Sequence, residues 1–239
     1  GGDAETYVDF IHRRTDDTHF YYVANRNARA ESVELAFRMT GLVPEIWDPV
    51  TGARREATRY RFEGGRTILP YDLAADESFF VVFRKPAAAA PNGAPNKPAY
   101  QPLATLEGPW SVSFDPAWGG PASTTFEKLI DWTKHADPGI KFYSGTGVYS
   151  KSFTAPGGTG RVFLDLGELQ SLCEVSVNGR ELGVLWYAPF VVEITDALRA
   201  GENKLEVRVV NVWANRVIGD ASLPPEKRRT KTNIVKLTA

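Results

Sequence analysis

Cys173-Glu-Val-Ser-Val-Asn-Gly-Arg-Glu-Leu-Gly183 is the stretch on which the fold class turns. Val175 and Val177 alternate with polar neighbours and run into Asn178-Gly179, two residues that accept the positive φ both central positions of a tight hairpin turn require. The segment therefore reads as a β-hairpin. Working outward, Lys204–Asn211 (KLEVRVVN) sets Leu205, Val207 and Val209 against Glu206 and Arg208, and WSVSF sets Trp110, Val112 and Phe114 against Ser111 and Ser113. Both show the period of two that marks a half-buried strand. Nearer the start, VELAFRMT puts Val33, Leu35, Phe37 and Met39 on one face, and THFYYVANR, TILPYDL and SFFVVFR are rich in aromatic and β-branched residues. Asp16-Asp17, Glu63-Gly64-Gly65 and Pro49-Val-Thr-Gly52 supply turns between them. Two short helix candidates remain: ITDALRAGEN, with Asp196 as an N-cap and Gly201 as terminator, and Phe126–His135. The expected class is all-β, two antiparallel β-sandwich domains.

Lys85–Pro98 reads KPAAAAPNGAPNKP, fourteen positions with four prolines and no aromatic or β-branched residue. Such a segment buries too little apolar surface to offset its ordering entropy and favours an extended spacer. The expected division is a β-sandwich domain at 1–84, a linker at 85–98 and a second β domain at 99–239. No repeat of fixed period links the two halves.

The 239 residues carry 28 basic and 29 acidic side chains, a net charge of −1. A partner bound through phosphate neutralisation needs a clustered surplus of Lys and Arg, so nucleic acid is not expected. The one basic run, Lys227-Arg-Arg-Thr-Lys231, reads as a solvated stretch near the end of the chain. No apolar run approaches the ~20 residues that span a bilayer, and no basic-then-apolar leader opens the sequence. Cys173 stands alone, which excludes an internal disulfide, and its apolar strand setting suits a buried thiol. The sequence opens at Gly1 and its one Met is Met39, so it reads as a piece of something longer.

Motifs for chemistry are sparse. His12, His19 and His135 form no His-Glu-x-x-His, and with one Cys no zinc site is expected. Gly145-Thr-Gly147 and Pro156-Gly-Gly-Thr-Gly-Arg161 lack the residues of a dinucleotide or phosphate loop and read as turns. No Gly-x-Ser-x-Gly elbow is present. Glu127, Asp131, Asp137 and Asp220 are loop carboxylates, but nothing singles out two of them as an acid–base pair. What stands out is aromatic residues beside amide and guanidinium groups: Trp47-Asp48-Pro49, Trp118-Gly-Gly-Pro121, Asp131-Trp132, Trp186-Tyr187-Ala-Pro189 and Asn211-Val-Trp213-Ala-Asn215-Arg216. Indole faces next to such donors suit a sugar, whose C–H faces stack while its hydroxyls hydrogen-bond. The competing reading is that these tryptophans close cores or dock against another domain.

FIHRRTDDTHFYYVANR, FRMTGLVPEIWDPVTG and SFFVVFR resemble the β-sandwich that follows the catalytic barrel in α-L-rhamnosidase-type enzymes of glycoside hydrolase family 106. LEGPWSVSFDPAWGGP, LIDWTKHADPGIKFYSGTGVYSKSF, LDLGELQSLCEVSVNGRELGVLWYAPFVVEIT and GENKLEVRVVNVWANRVIGD resemble their C-terminal jelly-roll module. That module is similar to the sugar-binding domain of family 2 glycoside hydrolases, with a galactose-binding-like fold. The resemblance covers nearly the whole chain apart from 85–98.

The resemblance implies that catalytic carboxylates reside in an upstream barrel, whose strand–helix rhythm no segment here carries. No catalytic residue is assigned. It implies a non-catalytic portion of a rhamnosidase-like enzyme that supports the missing barrel and binds oligosaccharide or polysaccharide. The alternatives are an O-glycosyl hydrolase activity of its own, or a purely structural docking module. Carbohydrate binding falls to Trp186, Trp213, Asn215 and Arg216, with Asp220 as a hydroxyl acceptor. No cofactor or metal ligand set is assigned; galactose-binding-like folds often hold structural calcium, partly through backbone carbonyls that a sequence does not reveal. The implied parent is secreted or periplasmic. His12-Arg13-Arg14 falls at the barrel-to-sandwich junction and is expected to form an ion-paired hairpin. Relatives usually add a closing strand after Asn-Arg-x-Ile-Gly-Asp, for which only the residues after Thr232 remain.

Overall fold

A computed structural model describes residues 5–155, 157 and 160–233 of the chain. It divides into two compact units, Gly1–Gln101 and Pro102–Ala239. Both are built from antiparallel strands, as the period-two patterns require.

In the first unit a five-stranded sheet runs in the order β1 (Val8–Arg14), β2 (His19–Asn25), β8 (Ser78–Pro86), β4 (Leu42–Trp47), β5 (Arg54–Glu56). A three-stranded sheet orders β3 (Glu31–Phe37), β7 (Arg66–Leu73) and β6 (Arg61–Glu63). Alternate residues of both sheets form one core, including Tyr21, Val23, Phe37, Leu69, Tyr71, Phe79, Val81 and Phe83. Phe37 contacts Tyr21 and Phe83 edge-on at 4.8 and 5.3 Å between centroids, the geometry the ring quadrupole favours. The β6–β7 turn has Gly64 and Gly65 at φ +55° and +70°, and Gly52 at +70° closes the β4–β5 turn, where Asp48 accepts the N–H groups of Val50 and Thr51. The β1–β2 hairpin is held by His12 and His19, whose ring nitrogens lie 3.0 Å apart. Among the described residues, Arg13 and Arg14 enter no ion pair; the ion pair at this hairpin is Asp9–Arg26 at 3.7 Å, and His12 meets His19 instead.

The Pro/Ala-rich segment does not stand off as a spacer. Ala87 N–H donates to Gly41 O at 2.9 Å and Gly93 N–H to Thr58 O at 2.8 Å. Asn96 is buried, accepting at Oδ1 from Thr58 N and Arg59 N and donating from Nδ2 to Arg59 O and Pro70 O. Lys97 pairs with Glu77 at 2.6 Å. The entropy argument weighed apolar burial alone; backbone pairing and one buried amide order this segment instead.

In the second unit a six-stranded sheet runs β10 (Thr124–Phe126), β9 (Trp110–Ser113), β11 (Thr146–Thr154), β16 (Glu202–Val210), β13 (Leu172–Val177), β14 (Arg180–Leu185). A two-stranded sheet pairs β12 (Phe163–Asp165) with β15 (Val191–Glu193). The core holds Trp110, Val112, Phe114, Trp132, Tyr143, Tyr149, Cys173, Val175, Val177, Leu205 and Val207. Asn178 and Gly179 take φ +55° and +79°, the turn read from the sequence. Asn203, wholly buried, accepts from Asn178 Nδ2 and Arg199 N and donates to Arg199 O and Gly201 O, tying that hairpin to the turn before β16.

The helix expectations change. Thr195–Ala197 is one 3₁₀ turn whose cap is Ile194, with Asp196 inside the turn. Phe126–His135 is not a helix: Phe126 ends β10, and only Trp132–Lys134 forms a 3₁₀ turn, capped by Asp131. An unforeseen helix, α2 (Ala214–Ala221), follows β16, and a single turn, α1 (Pro138–Lys141), precedes β11. Residues 234–239, which the closing-strand expectation concerns, lie outside the described residues.

Candidate functional site

The register of the six-stranded sheet gathers three tryptophan loops at one end. Ser113 pairs with Val148, Thr146 with Val210, Leu172 with Val210, and Cys173 with Leu185. The ends of β9, β14 and β16 therefore point the same way as the start of β11. Trp118, Trp186 and Trp213 leave the sheet there, β14 and β16 being separated by β13, about 10 Å at the usual strand spacing.

All three indoles are exposed, Trp186 by 59%, Trp213 by 58% and Trp118 by 37%. Large exposed aromatics cost hydration free energy, so three on one end are informative. Trp118 and Trp213 meet edge to face at 5.2 Å and 77°. Trp186 packs in the same manner on Tyr187 at 5.5 Å. Trp110 and Trp132, in contrast, belong to the core, and Trp132 Nε1–H donates to Tyr149 OH at 2.5 Å. Trp47, in the first unit, lies under the guanidinium groups of Arg54 and Arg84 and donates to Glu45.

The loops behind the exposed indoles are hydrogen-bonded to each other. Asn211 Nδ2 donates to Tyr143 O and its Oδ1 accepts from Gly145 N, both at 2.9 Å. Ser144 Oγ donates to Val212 O and accepts from Arg216 N, which fixes Trp213 at the head of α2. Tyr143 OH accepts from Asp115 N, and Asp115 Oδ1 caps the 3₁₀ turn Pro116–Trp118 at Ala117 N. Both indoles of the pair thus rest on ordered backbone.

Of the residues singled out from sequence, Trp186 and Trp213 stand on this surface and Asn215 is half-buried on the first turn of α2. Arg216 and Asp220 lie inside. Arg216 Nη2 approaches Asp220 Oδ1 to 2.8 Å, with both side chains under a tenth exposed. Asp220 Oδ2 accepts from Arg229 N, Thr230 N and Thr230 Oγ1 at 2.9, 2.7 and 2.8 Å. Burial opposes ionisation of Asp220, but the Thr230 donors, then Arg216 and Arg229, outweigh it and hold the carboxyl below the usual range. The pair fastens the segment after α2 to the sheet end. Trp118 was visible only as an aromatic beside Gly-Gly; its partnership with Trp213 spans nearly a hundred positions and has no local signal.

Of the loop carboxylates, Asp131, Asp137 and Asp220 are otherwise occupied, and Glu127 is exposed. Asp131 caps Thr133 N, whose bonds lower its pKa, and Asp137 caps Gly139 N. Cys173 is wholly buried and its thiol is pushed up to about 11 by burial. Among the described residues no group of three metal-ligating side chains is assembled.

Residues 2–62 match the α-L-rhamnosidase family model of glycoside hydrolase family 106. A rhamnosidase from Novosphingobium sp. PP1Y is 43% identical and superposes at a TM-score of 0.82 over 91% of this chain. The chain is similar to that rhamnosidase across both units. It spans 21% of that rhamnosidase. A protein of Formosa agariphila that carries a provisional β-glucuronidase name is 39% identical over 133 residues, 54% of this chain and 11% of its own length. The rhamnosidase likeness covers the all-β architecture of both units, and the α-L-rhamnosidase match falls within the first.

Proposed function

We propose that this rhamnosidase-related chain is a non-catalytic portion of a glycoside hydrolase. In this reading residues 1–84 support a catalytic barrel carried elsewhere, 85–98 form the connection, and 99–239 are a galactose-binding-like jelly roll that binds oligosaccharide or polysaccharide. The parent acts outside the cytoplasm. Among the described residues no helix is long and apolar enough to cross a membrane.

The observation that carries the reading is the convergence of Trp118, Trp186 and Trp213, all exposed, on one end of the six-stranded sheet. Indole faces give a pyranose ring its stacking surface. Asn215 supplies an amide beside Trp213, whereas Arg216 and Asp220, being buried, act by holding α2 and the segment beyond it. The test is calorimetric titration of the folded chain with a rhamnose-containing oligosaccharide, beside Trp213→Ala and Trp186→Ala. Saturable heat lost in the variants supports the reading; no heat at millimolar ligand overturns carbohydrate binding. Release of nitrophenol from an aryl α-L-rhamnoside above background would overturn the non-catalytic assignment.

A further inference from the structure

The basic run Lys227–Lys231 is not the solvated tail its sequence suggests. Asp220 takes hold of its middle through the N–H groups of Arg229 and Thr230 and the Thr230 hydroxyl. The short turn Pro225–Lys227 begins the same segment, and Arg228 Nε donates to Leu223 O at 2.8 Å. The chain is thereby led back across the loop that bears Trp118. Arg229 Nη1 donates to the carbonyl of Ala117, on one side of Trp118. On the other side, a Cβ placed on Gly119 would sit 3.2 Å from Arg229 Nε. The guanidinium therefore lies against the peptide that carries the indole.

Within this segment the charge is one-sided, while the carboxylates of Asp115 and Asp137 lie by the loop it crosses. Lys227, Arg228, Arg229 and Lys231 are all exposed, and Glu226 is the one acid among residues 223–231. Among the described residues no ion pair engages any of the four cations. Like charges concentrated on one short segment repel one another. Here a buried ion pair and three hydrogen bonds hold that segment beside an exposed aromatic pair.

We infer that the ligand of this end is an acidic saccharide, one whose ring stacks on the Trp118–Trp213 pair while its carboxylate or sulfate meets Arg229 and its basic neighbours. A guanidinium presents a planar fork of donors that matches either oxyanion. A neutral sugar would use the indoles and leave the cations idle. The inference rests on the carbohydrate-binding reading and narrows it to a charge class.

The full chain is titrated with three probes of equal length: a tetragalacturonate, the neutral galactotetraose, and a sulfated galactotetraose. The acidic probes are expected to bind about tenfold tighter than the neutral one, the scale of one added charge-assisted contact, with the advantage shrinking as salt rises. Which acidic probe binds tighter distinguishes uronate from sulfate ester. Arg229→Gln should erase most of the preference, read as the ratio of acidic to neutral affinity within the variant, while Arg229→Lys should keep most of it. Equal affinity for all three probes overturns the inference and leaves carbohydrate binding standing. So does a preference that survives Arg229→Gln. No binding of any probe overturns the inference, and the rhamnose-containing oligosaccharide then decides whether carbohydrate binding itself stands.

Discussion

His12 Nε2 and His19 Nδ1 lie 3.0 Å apart across the β1–β2 hairpin, with ring planes 10° apart and centroids 5.2 Å apart. At that centroid separation the rings meet end-on, nitrogen to nitrogen, so one donates an N–H and the other accepts it. His12 also stacks on Tyr21 at 4.1 Å. Burial, then His19, then Arg14 lower the pKa of His12.

A histidine whose folded pKa is depressed contributes its stability in full above the unfolded value of about 6.5 and loses it as pH falls through 6.5 toward the folded value. Melting curves of the chain between pH 8 and pH 5 should therefore show the transition of the first unit falling over the acid half of that range. His12→Gln should flatten the dependence. An equal slope in the variant would remove His12 as its source.

Asp220→Ala should destabilise the second unit by about 3–5 kcal/mol, because it leaves Arg216 as a buried charge without a counterion. Asp220→Asn should cost less, since an amide oxygen still accepts from Thr230. Denaturant titration monitored by tryptophan fluorescence gives both numbers. Because the Asp220 pKa is lowered, its contribution is present above the ordinary carboxyl range, about 3.9, and is lost as pH falls from there through the folded value.

Gly219→Ala sets two effects against each other. Alanine gains about 1 kcal/mol in helix propensity inside α2. Its Cβ, however, would lie 2.6 Å from Phe142 Cβ, and overpacking of that kind costs roughly 1–3 kcal/mol. The clash should win, leaving the variant less stable by thermal melting; a raised melting temperature would show that Phe142 can yield.

Asn96→Ala should free the Pro/Ala segment without unfolding the sandwich. Its amide makes four backbone contacts, and losing them costs about 1–3 kcal/mol where the strand groups stay shielded. Hydrogen exchange should rise at Thr58 and Arg59, with faster proteolytic nicking between Ala87 and Pro98. Unchanged exchange at both sites would mean that the segment is held by other contacts.

The strands were legible because their apolar residues alternate: Trp110, Val112 and Phe114 are buried while Ser111 is exposed, and Val175 and Val177 face the core beside an exposed Glu174. The Asn178-Gly179 and Gly64-Gly65 turns were legible because few residues accept positive φ. Three things were not. Asn96 orders a segment of poor apolar content through amide bonds that no composition measures. Arg216 and Asp220 looked like exposed sugar ligands, yet their i, i+4 spacing on α2 lets them neutralise each other inside. Trp118 and Trp213 become neighbours only through the register of β9 and β16 on the single strand between them, β11.

The Trp118–Trp213 pair has an optical consequence. Two indoles edge to face at 5.2 Å couple their transition dipoles, so the chain should show an exciton couplet in circular dichroism that neither tryptophan produces alone. Replacing either one should abolish it, and a ligand that parts the rings should dim it. The molecule carries its own spectroscopic gauge of whether that end is occupied.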